Sequence, residues 1–138
     1  MRRVHFLVGL LGVVVFLGTG VYMRSRFPAL YAGDEAVRYM YRANHIYLLL
    51  SSLVNIVLGL SVAAPGRGWR ARLGRTGSVL AILSPAVLCY AFFMEVPNAS
   101  PERIFTAIGI FLVALGVLAQ LPLGHHQFSN TDPANCQP

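Results

Sequence analysis

Four apolar runs, parted by short polar or Pro- and Gly-bearing segments, set the pattern of this chain: roughly residues 4–23, 43–64, 76–96 and 103–123. A membrane span takes about 20 mostly apolar residues at 1.5 Å rise each, so each run is long enough to cross a bilayer. The pattern predicts an all-α integral membrane protein, a four-helix bundle with antiparallel up-down-up-down order. Arg2 and Arg3 precede "VHFLVGLLGVVVFLGTG" as they would in a signal peptide, but no small-x-small cleavage site follows, and the run is read as a helix. Pro28 is expected to interrupt the first loop, Pro65, Gly66 and Gly68 to stop the second helix, and Pro97 and Pro101 to bracket the third turn. Gly33 and Asp34 read as a helix start, and Asp34, Arg38 and Arg42 follow at four-residue steps, so the second helix is expected to extend beyond the membrane. Tyr31, Tyr39, Tyr41 and Tyr47 suit a half-wet interface, and Trp69 suits the opposite one.

Helical spacing assigns inward faces. On the second helix Arg38, Arg42, His45, Ser52, Asn55 and Gly59 form one polar or small stripe. The first helix offers His5, Gly9, Gly12 and Thr19, the third Gly77, Ala81, Ser84, Ala91 and Glu95, and the fourth Thr106, Gly109, Gly116 and Gln120. Small residues let helices approach where lipid gives no hydrophobic drive to associate, and buried hydroxyls and amides bond across the seams. Ser52, Asn55, Thr106 and Gln120 are the expected interhelical polar contacts.

Composition narrows the class further. The 138 residues are 56% hydrophobic and 12% charged, with mean hydropathy +0.61, against roughly 25% charged residues in soluble domains. All 11 cationic side chains are arginines and the net charge is +6. They cluster beside apolar runs rather than along a soluble face, which speaks for orientation in a bilayer and against nucleic acid as a partner. With both termini cytoplasmic, Arg2, Arg3, Arg67, Arg70, Arg72 and Arg75 lie inside against Arg24, Arg26, Arg38, Arg42 and Arg103 outside. That small excess, the dense "PGRGWRARLGR" and the acidic flanks Glu95 and Glu102 of the third loop favour this orientation. The layout resembles the many small four-span bacterial membrane proteins, which implies a bacterial inner membrane; no motif ties it to a family of known activity.

The candidate chemistry is sparse. Arg42 and His45 begin the second span, Glu95 ends the third and Arg103 begins the fourth, so the expected topology gathers them at the outer ends of helices 2–4. A desolvated carboxylate is paired or protonated, and Glu95 is expected within reach of Arg42 or Arg103, with His45 close by. This cluster reads first as an ion pair fixing helix register and second as a proton or ligand site. His5, His125 and His126 could share the cytoplasmic face, but their spacing matches no familiar metal pattern. His5 and His45 lie at opposite ends, which disfavours a bis-histidine haem, and no cofactor is expected. G-x-S-x-G, P-loop, dinucleotide-fold glycine and H-E-x-x-H patterns are lacking, and "NAS" at Asn98 is read as chance. The expectation is a non-catalytic protein, an accessory or structural subunit of a larger membrane complex or a homo-oligomer, in contact with lipid and with other subunits or itself. The alternative is a small transporter or ligand-binding protein using the outer cluster. The polar tail, residues 124–138, is expected to be disordered unless a partner chain orders it.

Overall fold

The computed structural model describes residues 1–61, 68–95 and 102–120. It contains four helices, α1 Arg2–Leu30, α2 Glu35–Ser61, α3 Trp69–Met94 and α4 Ile104–Leu118, and among the described residues there is no strand. The first three are long and apolar enough to cross a membrane. At 1.5 Å per residue their 29, 27 and 26 residues make rods of about 39–44 Å, longer than the ~30 Å hydrocarbon layer. Residues 62–67, 96–101 and 121–138, and with them the expectations for Pro65, Gly66, Pro97, Asn98, Pro101, His125 and His126, lie outside the described residues.

Helix α1 outruns the first apolar stretch by a turn or two and carries Pro28 inside it. The expected loop proline is therefore a helical one. Proline removes a single donor, and at an exposed site in the last turn the freed Arg24 carbonyl can turn to solvent at little cost. The start of α2 is built locally: Asp34 Oδ1 accepts the Val37 N–H at 3.0 Å, a capping bond. With Asp34 so engaged, Arg38 pairs with Glu35, at 3.6 Å, rather than with Asp34.

Side-chain contacts give the order of packing. The start of α1 meets the end of α2, where a Cβ on Gly59 would come within 2.7 Å of the Phe6 nitrogen, and Thr19 of α1 meets His45 of α2. The start of α3 meets the end of α4: a Cβ on Gly116 would lie 2.9 Å from the Ala81 nitrogen and the Gly77 carbonyl oxygen. Backbones this close exclude any larger residue, which is what small residues contribute to helix seams in a membrane. Helices α2 and α3 join the two helix pairs, and among the described residues α1 and α4 do not touch. The arrangement is a rhombus with α1 and α4 at its far corners.

The stripes read on the first, third and fourth helices are buried, with Gln120 half-buried. On α2 the buried face runs through Val37, Tyr41, Asn44, Leu48, Ser51, Ser52, Asn55, Leu58 and Gly59. Its outer half is thus turned by about one residue from the expected stripe. Tyr41 is 1% exposed and packs with Phe92, Tyr22, Phe27 and Tyr31 into an aromatic core, whereas Tyr39 stays 71% exposed.

Candidate functional site

Two buried polar clusters occupy the interior. The first begins with a backbone defect. Pro85 lies inside α3 and has no N–H, so the carbonyl of Ala81, four residues earlier, loses its helical donor. Two side chains replace it: Asn55 Nδ2 donates to Ala81 O at 2.7 Å and Ser84 Oγ at 3.0 Å. The Ser84 proton being spent there, Ser51 Oγ donates to Ser84 Oγ at 2.6 Å. Asn55 Nδ2 also reaches its own helix at Ser51 O, 3.0 Å. With its amide nitrogen held between two carbonyls, Asn55 turns Oδ1 to His5 Nδ1 at 2.8 Å, and the imidazole donates. One asparagine of α2 thereby bonds α1 and α3 together. His5 is wholly buried and its Nε2 has no partner among the described residues.

The second cluster sits where α3 ends and α4 begins. Arg103, the residue before α4, caps nothing with its own side chain. Glu95 does so from the end of α3: its carboxylate accepts the N–H of Phe105, the N–H of Thr106 at 3.0 Å and the Thr106 hydroxyl at 2.7 Å. A carboxylate at a helix start satisfies donors that have no intrahelical partner and meets the positive end of the helix dipole. Thr106 Oγ1 also lies 2.9 Å from Asn44 Oδ1, which accepts a bond from Arg103 Nη2 at 2.9 Å. Asn44 is wholly buried. Asn44 Nδ2 and Arg103 Nε are buried donors without a partner among the described residues.

Of the four residues expected together at this end, Glu95 and Arg103 meet on opposite sides of Asn44 and Thr106. Arg42 is exposed, and no ion pair joins Glu95 to either arginine among the described residues. His45 faces α1: its ring stacks on Phe16 at 3.9 Å, and its Nδ1 lies 2.9 Å from Thr19 Oγ1. Because Thr19 spends its only proton on the Phe16 carbonyl, 2.8 Å away, His45 is the donor. Asn55, Thr106 and Gln120 each bond across a seam, Gln120 Nε2 reaching Gly74 O and Ser78 Oγ at 2.9 Å each. Ser52 bonds its own helix at Leu48 O, 2.6 Å, and packs on Gly12. Of the three histidines weighed as a metal set, only His5 is among the described residues, and there no three potential ligands gather.

Asn44 and Ser51 of α2 and Ser78 of α3 are the buried polar residues that sequence reading passed over; for the two on α2 a signal was present. The heptad 37–41–44–48–51–55–58 was the available signal. Chemically the first cluster is built from amides, hydroxyls, an imidazole and a backbone carbonyl, and the second holds a carboxylate, a guanidinium and two spare N–H donors. The chain matches no family model, no curated protein and no solved structure.

Proposed function

We propose that this chain is an integral protein of a bacterial inner membrane, folded as an antiparallel up-down bundle with both termini cytoplasmic, and that it serves as a non-catalytic accessory or structural subunit or a homo-oligomer. The observation that carries this reading is how the interior spends its polar groups. Asn55, Ser51, Ser84 and the freed Ala81 carbonyl bond helix to helix at the middle of α3, and the glycine seams draw backbones together above and below. Such an interior fixes shape and leaves little room for a substrate path, whereas transport sites commonly use broken helices and open polar groups at mid-depth. The work then falls to the outside. Helix α1 stands at a corner and turns Leu7, Leu10, Leu11, Val14, Leu17 and Val21 outward, each about half exposed or more.

The test is the mass of the particle extracted in mild detergent. A species heavier than the 15.0 kDa chain, with constant stoichiometry across preparations, is expected; a lone monomer from native membranes overturns the proposal. One observation favours the second reading, a small ligand-binding or transport protein: the unpartnered Asn44 Nδ2 and Arg103 Nε beside Glu95. On that reading Arg103→Lys, which keeps the charge but removes the Nε donor, abolishes ligand binding with a smaller loss of thermal stability in detergent than Arg103→Ala.

A further inference from the structure

The described carboxylates are segregated along the helices, whereas arginines stand at both ends, with Arg24, Arg26, Arg38, Arg42 and Arg103 at the end that carries the carboxylates. Arg2, Arg3, Arg70, Arg72 and Arg75 stand where α1 begins, α2 ends and α3 begins, whereas the described carboxylates, Asp34, Glu35, Glu95 and Glu102, all stand at the opposite end. At the basic end a groove of about 530 Å³ is lined by Arg2, Arg3, Phe6, Leu7, Gly59 and Leu60. Its lip is held in place. Arg2 donates through Nε to Gly59 O at 3.4 Å and through Nη2 to Leu60 O at 3.1 Å, two carbonyls in the last described turn of α2. Arg3 is exposed and forms no ion pair among the described residues. The floor is hydrocarbon: Phe6, Leu7 and Leu60 are 40%, 63% and 61% exposed. Gly59 lies so close to the Phe6 backbone that a Cβ there would clash with it.

An occupant must therefore bring anionic oxygens to two guanidinium groups and an apolar chain to Phe6, Leu7 and Leu60. A soluble anion leaves the floor uncovered, and a zwitterionic lipid brings, with its phosphate, a headgroup cation that the two guanidinium groups repel. Arginine next to an apolar surface at the edge of a bilayer attracts acidic headgroups. We propose that this groove is a binding site for one anionic phospholipid, its phosphate against Arg2 and Arg3 and the upper part of an acyl chain along Phe6, Leu7 and Leu60. The proposal rests on the membrane-spanning reading given above.

Native mass spectrometry of the full chain in detergent, titrated with phosphatidylglycerol or with phosphatidylcholine of the same acyl chains, tests it. About tenfold tighter retention of phosphatidylglycerol is expected. Arg3→Ala should reduce that preference several-fold with thermal stability unchanged, Arg3→Lys should keep most of it, and Leu7→Ser should weaken both lipids alike. Arg2 is left intact because it also holds the end of α2. Equal retention of the two lipids, or a preference that survives Arg3→Ala, overturns the site. Glycerol phosphate competing as well as the whole lipid overturns the lipid assignment in favour of a soluble anion. Alkaline carbonate extraction of the same membranes separates the two failures: a chain that stays with the lipid but shows no preference refutes the groove alone, and a released chain refutes the membrane reading.

Discussion

Around Asn55 the bonding groups are amides, hydroxyls, an imidazole and a backbone carbonyl, whereas around Glu95 a carboxylate and a guanidinium take part. Both clusters repair unpaired backbone. At Asn55 the defect is a carbonyl freed in mid-helix by Pro85, where water is scarce and a charged donor would carry a large desolvation cost, so a neutral amide fills it. At Glu95 the defect is a helix start, where several N–H groups point the same way and their dipoles favour an anion. Position along the helix thus selects the chemistry: neutral groups mend an interior carbonyl, and a charge mends an end.

The sharpest way to break this comparison is Asn55→Leu. It strips the Ala81 carbonyl of its shorter donor and leaves the His5 Nδ1–H without an acceptor, two buried groups at about 1–3 kcal/mol each. A loss of roughly 2–4 kcal/mol is expected, read as a drop in thermal stability in detergent. Adding Pro85→Ala restores the missing N–H to Ala81 and should recover part of it, a coupling that a double-mutant cycle measures. Identical stability of Asn55→Leu and the parent would remove Pro85 from the explanation.

Glu95→Gln comes next. The amide keeps one acceptor but turns a donor toward the N–H groups of Phe105 or Thr106, and the attraction to the helix dipole vanishes. A destabilisation of about 1–3 kcal/mol is expected, together with faster amide exchange in the first turn of α4. Unchanged stability would show that the Glu95 carboxylate does not cap α4.

How much of this was legible depended on which signal a residue gave. Asn55, Ser84 and Glu95 are polar groups in apolar runs, which cost too much to leave unpaired, so their inward position could be read directly. Pro85 was visible as well, but its consequence needs the four-residue count back to Ala81. Asn44 was hidden by its neighbours. Near an exposed helix end the polar face is no longer a sign of burial: Arg42 is exposed, while the bulky Tyr41 goes in. The strongest charges therefore pointed to the wrong face by about one residue, and the heptad ending at Leu58 carried the true register. His5 was legible as a polar residue near the start of the first helix, but its partner follows only from pairing the start of α1 with the end of α2.

Ser84→Ala refines the neutral cluster. It removes the longer of the two bonds to Ala81 O and the acceptor of the Ser51 proton, yet leaves Asn55 Nδ2 in place at 2.7 Å. Ser51, freed, can turn its hydroxyl to a carbonyl of its own helix, as Ser52 does to Leu48. The expected loss is about 0.5–1.5 kcal/mol, the ordinary net contribution of one hydrogen bond, and clearly below that of Asn55→Leu. Equal effects would mean that the two donors share the carbonyl evenly rather than in the order of their distances.

Arg42→Ala is the smallest change and the most direct check on which cation belongs to the charged cluster. Arg42 is exposed, whereas Arg103 is half-buried and bonded to Asn44 at 2.9 Å. A solvent-facing arginine contributes little to folding, because its charge is screened and its long side chain loses entropy on being fixed. Arg42→Ala should therefore shift stability by no more than about 0.5 kcal/mol in either direction. Arg103→Ala removes the donor held by Asn44 Oδ1 and takes the only guanidinium bond from the cluster, so it should cost about 1.5–3 kcal/mol, the range for a hydrogen bond to a charged group. Measuring both in the same detergent cancels errors in the absolute scale. If Arg42→Ala proves the more damaging, Glu95 draws on the exposed arginine after all, and the outer half of α2 turns its other face inward.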